Sequence, residues 1–524
     1  MTPGMQIRLW LRQASKTQVG VTAVALAGVV VLLVASLTTG GHHRASTSVA
    51  AGAGAATNTG QGALAPATPE GGTGTAPVAG GTSGAAAVVS APTTGGAAAV
   101  PGAGGTTAAT AAGGTTGATG QTAGPLTASD RGVTPTTVKI GFLIANVGGL
   151  DQGGFALGLR TDIGQAIDAF VDDANKHGGM AGRKVVAVKR TEDPTNQGDL
   201  KAACDYMLRD QQVFGVVDSA SNIYAATQRC YTIDNKTPLA HVYALSADFM
   251  TAGGGYDMTT TPNLDRIAKF VGAAAKQMGF VKGGEHVGIF TDACEPSNTV
   301  IRKVMAPAFK ADGAATVDIA QTDCDPQAQT SQVPNAVLQM KTKNVDRMFM
   351  ATSFVGVQNF LTNADAQQFH PKYFASDYDG MAADLFTKNF PPTQWDRTQG
   401  ISSGYSGWLR AGHGLTPAQK RCSDILVAHG LPAMKDDAAN GEVISQCDAF
   451  LNIMVPAAKA AGANLTRAGW AQASQRLGHV DVAGFQACTY APGKYSCGDS
   501  YASVEWRKEF QGYIQISGYR PANA

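Results

Sequence analysis

The sequence predicts an α/β fold of two lobes, each built on a parallel sheet with helices on both faces. Three observations carry this. From residue 138 onward, short β-branched runs alternate with stretches whose apolar residues recur at helical spacing. The runs are nearly continuous in apolar character, as strands buried on both faces require. The alternation then restarts near residue 263, which makes two successive units.

Residues 138–145 (VKIGFLIA) are the first expected strand, followed by the glycine-rich loop NVGGLDQGGFALG. Ile163, Ile167, Phe170, Val171 and Ala174 lie on one helical face before His177-Gly178-Gly179 ends the helix. Strands are expected at 184–189, 213–217 and 239–243, with helices at 199–209 and 224–233 between them. The second unit opens with a helix at 263–278. Its strands are expected at 286–290, 316–320, 345–350 and 372–376, separated by helices at 300–310, 331–341 and 357–366. Beyond residue 407 helices at 417–428 and 442–461 dominate, and short strands at 501–506 and 512–517 close the chain.

The N-terminal part reads differently. Arg8, Arg12 and Lys16 precede an apolar stretch at 19–37. Residues 1–17 are therefore expected in the cytoplasm, and 18–38 as a signal peptide or transmembrane anchor that exports the rest. Between Ala45 and Ser129 Glu70 is the one charged side chain, and from Leu11 to Ile140 there is no Phe, Trp or Tyr. Such a stretch buries too little apolar surface to offset the entropy of ordering it. Residues 39–134 are accordingly expected as a disordered Ala/Gly/Thr-rich linker, and 135–524 as the folded, extracytoplasmic part.

All eight cysteines fall in that folded part, with no CxxC among them. Export favours disulfides over zinc or redox chemistry. Sequential pairing is the economical expectation: Cys204–Cys230, Cys294–Cys324, Cys422–Cys447 and Cys488–Cys497. A net charge of +1 without a basic patch argues against nucleic acid. Neither G-x-G-x-x-G nor G-x4-G-K-[ST] occurs, so no nucleotide cofactor is expected. Gly400-Ile401-Ser402-Ser403-Gly404 matches G-x-S-x-G, but the polar residues before it argue against the strand that a nucleophile elbow needs.

The stretch VFGVVDSASN, residues 213–222, ends an apolar run in small hydroxyl-bearing residues. Ligands of open parallel sheets bind beyond the carboxyl ends of the strands. Ser219, Ala220 and Ser221 are therefore candidates to hold an anionic group, as are Ala244 and Ser246 after the fourth strand. In the second unit the strands end at Asp292, at Phe354 and at Asp377 with Asp379, which suits a zwitterion whose ammonium pairs with Asp377 or Asp379 and whose carbon skeleton meets apolar walls.

These pieces resemble the type I periplasmic binding proteins, and more narrowly the branched-chain amino acid (leucine/isoleucine/valine) substrate-binding components of ABC transporters. The resemblance spans about residues 138–517. It rests on VKIGFLIA with its glycine loop, AIDAFVDDANKHGGMAGRKV, VFGVVDSASN and VDRMFMATSF. It implies a ligand carboxylate held at 219–221 and 244–246, an ammonium met by Asp377, and aromatic walls from Phe155 and Phe354. Asp292 follows a strand where relatives usually carry an aromatic residue. The resemblance further implies lobe 1 at about 136–260 plus 408–490 and lobe 2 at about 261–407 plus 491–524, closing by a hinge. No catalysis is implied. The implied partners are a small amino-acid-like molecule and the permease and ATPase subunits of a transporter, with the membrane reached through the N-terminal segment. The alternative role is a ligand-sensing receptor ectodomain on the same fold.

Overall fold

The computed structural model describes residues 125–149, 155, 157–219, 225–435 and 439–521. The apolar segment at 19–37, most of the expected linker, Ala220 and Ser221 lie outside the described residues. Among the described residues no helix is long and apolar enough to cross a membrane.

Lobe 1 opens with β1 (Thr137–Ala145), α1 (Ile163–Lys176), β2 (Lys184–Glu192), α2 (197–210), β3 (Gly215–Asp218), α3 (225–234), β4 (Leu239–His241), α4 (Ala247–Gly253) and β5 (Asp257–Thr259). The strands form one parallel sheet in the order β2-β1-β3-β4-β5. Lobe 2 supplies α5 (Leu264–Gln277), β6 (His286–Asp292), α6 (297–311), β7 (Thr316–Thr322), α7 (Pro326–Thr342), β8 (Arg347–Ala351), α8 (Phe354–Ala366), β9 (Lys372–Ala375) and β10 (Gln399–Ser402). The chain returns to lobe 1 for α9 (Pro417–Ala428), α10 (441–461), α11 (Arg467–Ser474), β11 (Gly478–His479) and β12 (Thr489–Tyr490). It ends in lobe 2 with β13 (Ser500–Arg507), β14 (Gly512–Gln515) and β15 (Arg520–Pro521).

The second sheet runs β7-β6-β8-β9-β10-β13-β14. Its first five members repeat the pattern of lobe 1. It is not purely parallel as the sequence reading expects, because β13 pairs antiparallel with both β10 and β14. β10 is itself a correction. Its residues QGIS follow a polar stretch, yet Gly400, Ile401 and Ser402 are buried between β9 and β13. Central position overrides local composition here.

Each sheet carries a core on both faces. In lobe 1, Ile163, Ala166, Ile167 and Phe170 of α1 and Phe450 and Met454 of α10 bury Ile140 and Phe142. Leu143 and Val216 face Met207 of α2 and Tyr231 of α3 on the other side. Lobe 2 repeats this, with α5 and α6 over Ile289 and Phe349 and with α7 and α8 over Phe290 and Met350. Burying an Ile or Phe side chain contributes about 1.5–3 kcal/mol, so these stripes fix which helix covers which face.

The folded body begins earlier than composition predicts. Ser129 Oγ donates to Leu465 O at 2.6 Å, and Asp130 pairs with Arg467 at 3.0 Å. The buried Arg183 guanidinium donates to Thr127 O at 3.0 Å, Thr134 O at 2.8 Å and Ala463 O at 2.9 Å. Residues 125–134 therefore belong to lobe 1 and not to the linker, held by polar anchors instead of apolar burial. Gly179 at φ 61° makes the turn in front of Arg183 possible, since a Cβ there would run into Arg183 O.

All four disulfides join sequential cysteines: 204–230, 294–324, 422–447 and 488–497.

Candidate ligand-binding cleft

Three chain segments cross between the lobes, after β5, after β10 and after β12. The crossings shift two expected boundaries. Residues 405–413 stay with lobe 2, where Trp408 packs near Tyr519 at 6.0 Å. Residues 491–497 stay with lobe 1, where Cys497 joins the core and bonds to Cys488. The first and third crossings are fastened together. Thr259 bridges Ser496, and Tyr490 Oη donates to Thr259 O at 3.0 Å. Arg266 of α5 donates to Cys497 O at 2.8 Å, Gly498 O at 2.9 Å and Asp499 Oδ1 at 2.7 Å.

In both sheets the strand order reverses beside the first strand of the lobe, between β1 and β3 and between β6 and β8. A crevice opens there at the carboxyl ends. In lobe 1 the N-terminal turn of α10 reaches over this point. Glu442 Oε1 accepts from Ala145 N at 2.9 Å and from Ser219 Oγ at 3.3 Å. Gln446 Nε2 donates to Leu143 O and to Ser219 Oγ, both at 2.7 Å. Burial, and more weakly the charge of Asp218, push the Glu442 carboxyl up to about 7. Asp218, buried at the end of β3, accepts from the Tyr243 hydroxyl.

In lobe 2 the same position is closed internally. Asp292 Oδ2 accepts from Thr352 Oγ1 at 2.6 Å and its Oδ1 from Cys294 N at 3.0 Å, while Gln329 donates to Thr352 and Thr322. Burial raises the Asp292 carboxyl above the usual carboxylate range. Asp377, just past β9, accepts from Ser402 Oγ at 2.9 Å and from Ser403 N at 2.5 Å, and desolvation raises it likewise.

The lobes touch across the cleft. Phe155, from the loop after β1, meets Phe354 at the start of α8 edge-to-face with ring centroids 5.5 Å apart. Phe354 stacks in turn on Phe386 at 4.7 Å. Lys388 Nζ, from the segment after β9 that also carries Phe386, donates to Leu157 O at 2.5 Å, a second link from the loop after β1 to lobe 2.

The structure thus brings Phe155 and Phe354 into edge-to-face contact between the lobes. Ser219 stands at the lobe 1 crevice with its hydroxyl engaged by Glu442, Gln446 and Leu143 O. Ser246 caps α4, accepting from Phe249 N at 3.2 Å. Ala244 packs against the lobe 2 core near the first crossing. Asp292 is turned into lobe 2, and Asp377 is half-buried beside Ser402. Ala220 and Ser221 lie outside the described residues. Sequence reasoning missed Glu442 and Gln446, which arrive from almost 300 residues away in the chain. The signal available was an acidic residue at the start of an apolar helix.

Ser402 has the strand of a nucleophile elbow, β10, but residues 403–415 form turns and loop instead of the following helix. Its neighbours are Asp377 and Ser406, at 2.9 and 3.2 Å.

A periodic pattern of this kind has known relatives. A family model described as periplasmic binding protein matches residues 137–493. A fatty acid ABC transporter substrate-binding protein from Thermomonospora curvata shares the fold with 16% identity and a TM-score of 0.57, over 75% of this chain and 94% of that one. A branched-chain amino acid ABC transporter protein from Thermus thermophilus with bound valine is similar over 74% of this chain and 97% of its own, with 13% identity and a TM-score of 0.55. An R. palustris solute-binding protein in complex with 4-hydroxybenzoate matches at 16% identity and a TM-score of 0.54, over 74% and 97% of the two chains. No curated protein sequence matches. The family works outside the cytoplasm, on solutes and without catalysis. With two lobes of one topology, three crossings and a cleft at the strand ends, the chain belongs to the periplasmic binding protein family.

Proposed function

We propose that this chain is an extracytoplasmic solute-binding protein that closes its lobes on a small amino-acid-like ligand and presents the closed form to the permease and ATPase subunits of an ABC transporter. The observation that carries the reading is the contact of Phe155 with Phe354, one residue from each lobe, which only a closed or nearly closed cleft makes. Asp377 is the counter-ion for the ligand's ammonium group, because its carboxylate lies at the cleft end of β9 with two donors already orienting it. The aromatic pair forms the wall against the ligand's carbon skeleton. The apolar N-terminal segment and its long tether would keep the domain at the membrane, near the transporter.

Thermal denaturation of the full chain against a panel of amino acids, amines, hydroxybenzoates and fatty acids tests this. A ligand at 100 times its Kd adds about 2.7 kcal/mol to stability. The expected result is a raised Tm with ammonium-bearing ligands that Asp377→Ala abolishes. A rise with carboxylic acids lacking an amine, unchanged in Asp377→Ala, would overturn the amino-acid reading.

A further inference from the structure

The donors that lobe 1 offers at the ends of β1 and β3 are already used by a carboxyl group of the chain itself. Glu442 Oε1 accepts from Ala145 N at 2.9 Å and from Ser219 Oγ at 3.3 Å. Ala145 ends β1 and Ser219 follows β3, and the strand order reverses between these two neighbours. That is the place where an open parallel sheet receives its ligand.

The serine hydroxyl has one proton to give. Both of its acceptors, Glu442 Oε1 and Leu143 O at 3.4 Å, lie within lobe 1, and the same oxygen accepts from Gln446 Nε2 at 2.7 Å. Glu442 and Gln446 stand one turn apart on α10 and so reach the strand ends together. The start of α10 is pinned in turn. Arg160, in the loop between β1 and α1, donates to Asn440 Oδ1 and to Pro432 O, both at 2.9 Å. Asp162 holds that guanidinium with two bonds of 2.8 and 2.6 Å.

This seat is not sealed in the core. Glu442 is 6% exposed, and Ala145 and Ser219 are only half-buried at the crevice. Oε1 accepts both bonds whether Glu442 is ionised or protonated, so the seat is filled in either state. A ligand carboxylate takes these donors only by expelling Glu442. Placed beside it, the ligand would set two acid groups together, which disfavours the charged form of both.

Resting on the solute-binding reading, we infer that Glu442 is a specificity-determining residue: it occupies the carboxylate seat of lobe 1 and turns that end of the cleft from a donor into an acceptor. The ligand class is therefore amino-acid-like molecules whose carboxyl is replaced by a neutral group with N–H donors, a primary carboxamide above all. Asp377 still meets the ammonium group from lobe 2.

Two measurements on the full chain test this. The first asks whether the vacated seat takes a carboxylate. Glu442→Ala should melt below the native chain, and acetate, compared with chloride at equal ionic strength, should restore part of the lost Tm. The native chain and Glu442→Gln, whose amide still fills the seat, should not respond to acetate. The second is isothermal titration with matched pairs, valine and valinamide, 4-hydroxybenzoate and 4-hydroxybenzamide. The native chain should bind the carboxamide of a pair more tightly than the carboxylate by about tenfold or more, and Glu442→Gln and Glu442→Ala should both narrow that ratio. No acetate response in Glu442→Ala would overturn the inference. A native chain that prefers the carboxylate would also overturn it, while leaving the solute-binding reading in place. Acetate rescue without binding of any of the four compounds would instead overturn the amino-acid-like reading and support the seat.

Discussion

Phe155 and Phe354 stand edge-to-face across the cleft, 5.5 Å between ring centroids, and neither belongs to the lobe of the other. Such a contact exists only while the lobes are drawn together. It therefore contributes to the closed state and not to the stability of either lobe.

Truncating Phe155 should consequently shorten ligand residence with little change in melting point, whereas truncating Phe354 also removes its stacking on Phe386 within lobe 2. An edge-to-face pair couples by about 0.5–1.5 kcal/mol. Phe155→Ala, Phe354→Ala and the double variant should show coupling of that size in dissociation rates by stopped flow. Full additivity would mean that the rings do not act together.

Glu442 makes stability depend on pH. Its carboxyl rises from 4.5 to about 7 in the fold, so between those values the native state holds more of the proton than the unfolded chain. Stability from this group is then full at low pH and declines as pH rises through about 7. Glu442→Gln should therefore raise Tm relative to the native chain at pH 8 by more than at pH 5, in paired calorimetric scans. An equal effect at both pH values would contradict the shift.

Arg266 fastens two of the three crossings through one guanidinium. Arg266→Lys keeps the charge and loses the fork, so it should cost about 1–3 kcal/mol in urea denaturation. Its exposure of 20% limits solvent screening of the Asp499 pair. A midpoint unchanged from the native chain would show that the backbone bridges suffice.

The Cys294–Cys324 bridge closes a loop with a sequence separation of 30 residues. Replacing both cysteines by alanine should lower stability by about 3–4 kcal/mol on the loop-entropy scale. Chemical denaturation with separate probes for the two lobes should find the loss in lobe 2.

The parallel strands were legible because each is a short apolar run between turn signals. β1 was expected at 138–145 and spans Thr137–Ala145; β6 was expected at 286–290 and spans His286–Asp292. The cysteine pairing was legible because neighbours in sequence closed local loops. β10 was not, since its burial comes from β9 and β13 on either side and not from its own polar surroundings. Glu442 was not, since nothing local says that the start of a helix will cap a strand end 297 positions earlier. The anchoring of Ser129 and Asp130 was hidden in a stretch whose composition reads as tether. The position of Ser219 after β3 was legible, but its engagement with Glu442 and Gln446 needed the third dimension.

None of the four disulfides joins one lobe to the other. Cys204–Cys230, Cys422–Cys447 and Cys488–Cys497 lie in lobe 1, and Cys294–Cys324 lies in lobe 2. The covalent stiffening stops where the jaws begin to move. An oxidising exterior thus hardens each half without adding resistance to the bite, and a reductant should soften one half at a time while the grip on cargo outlasts the first broken bond.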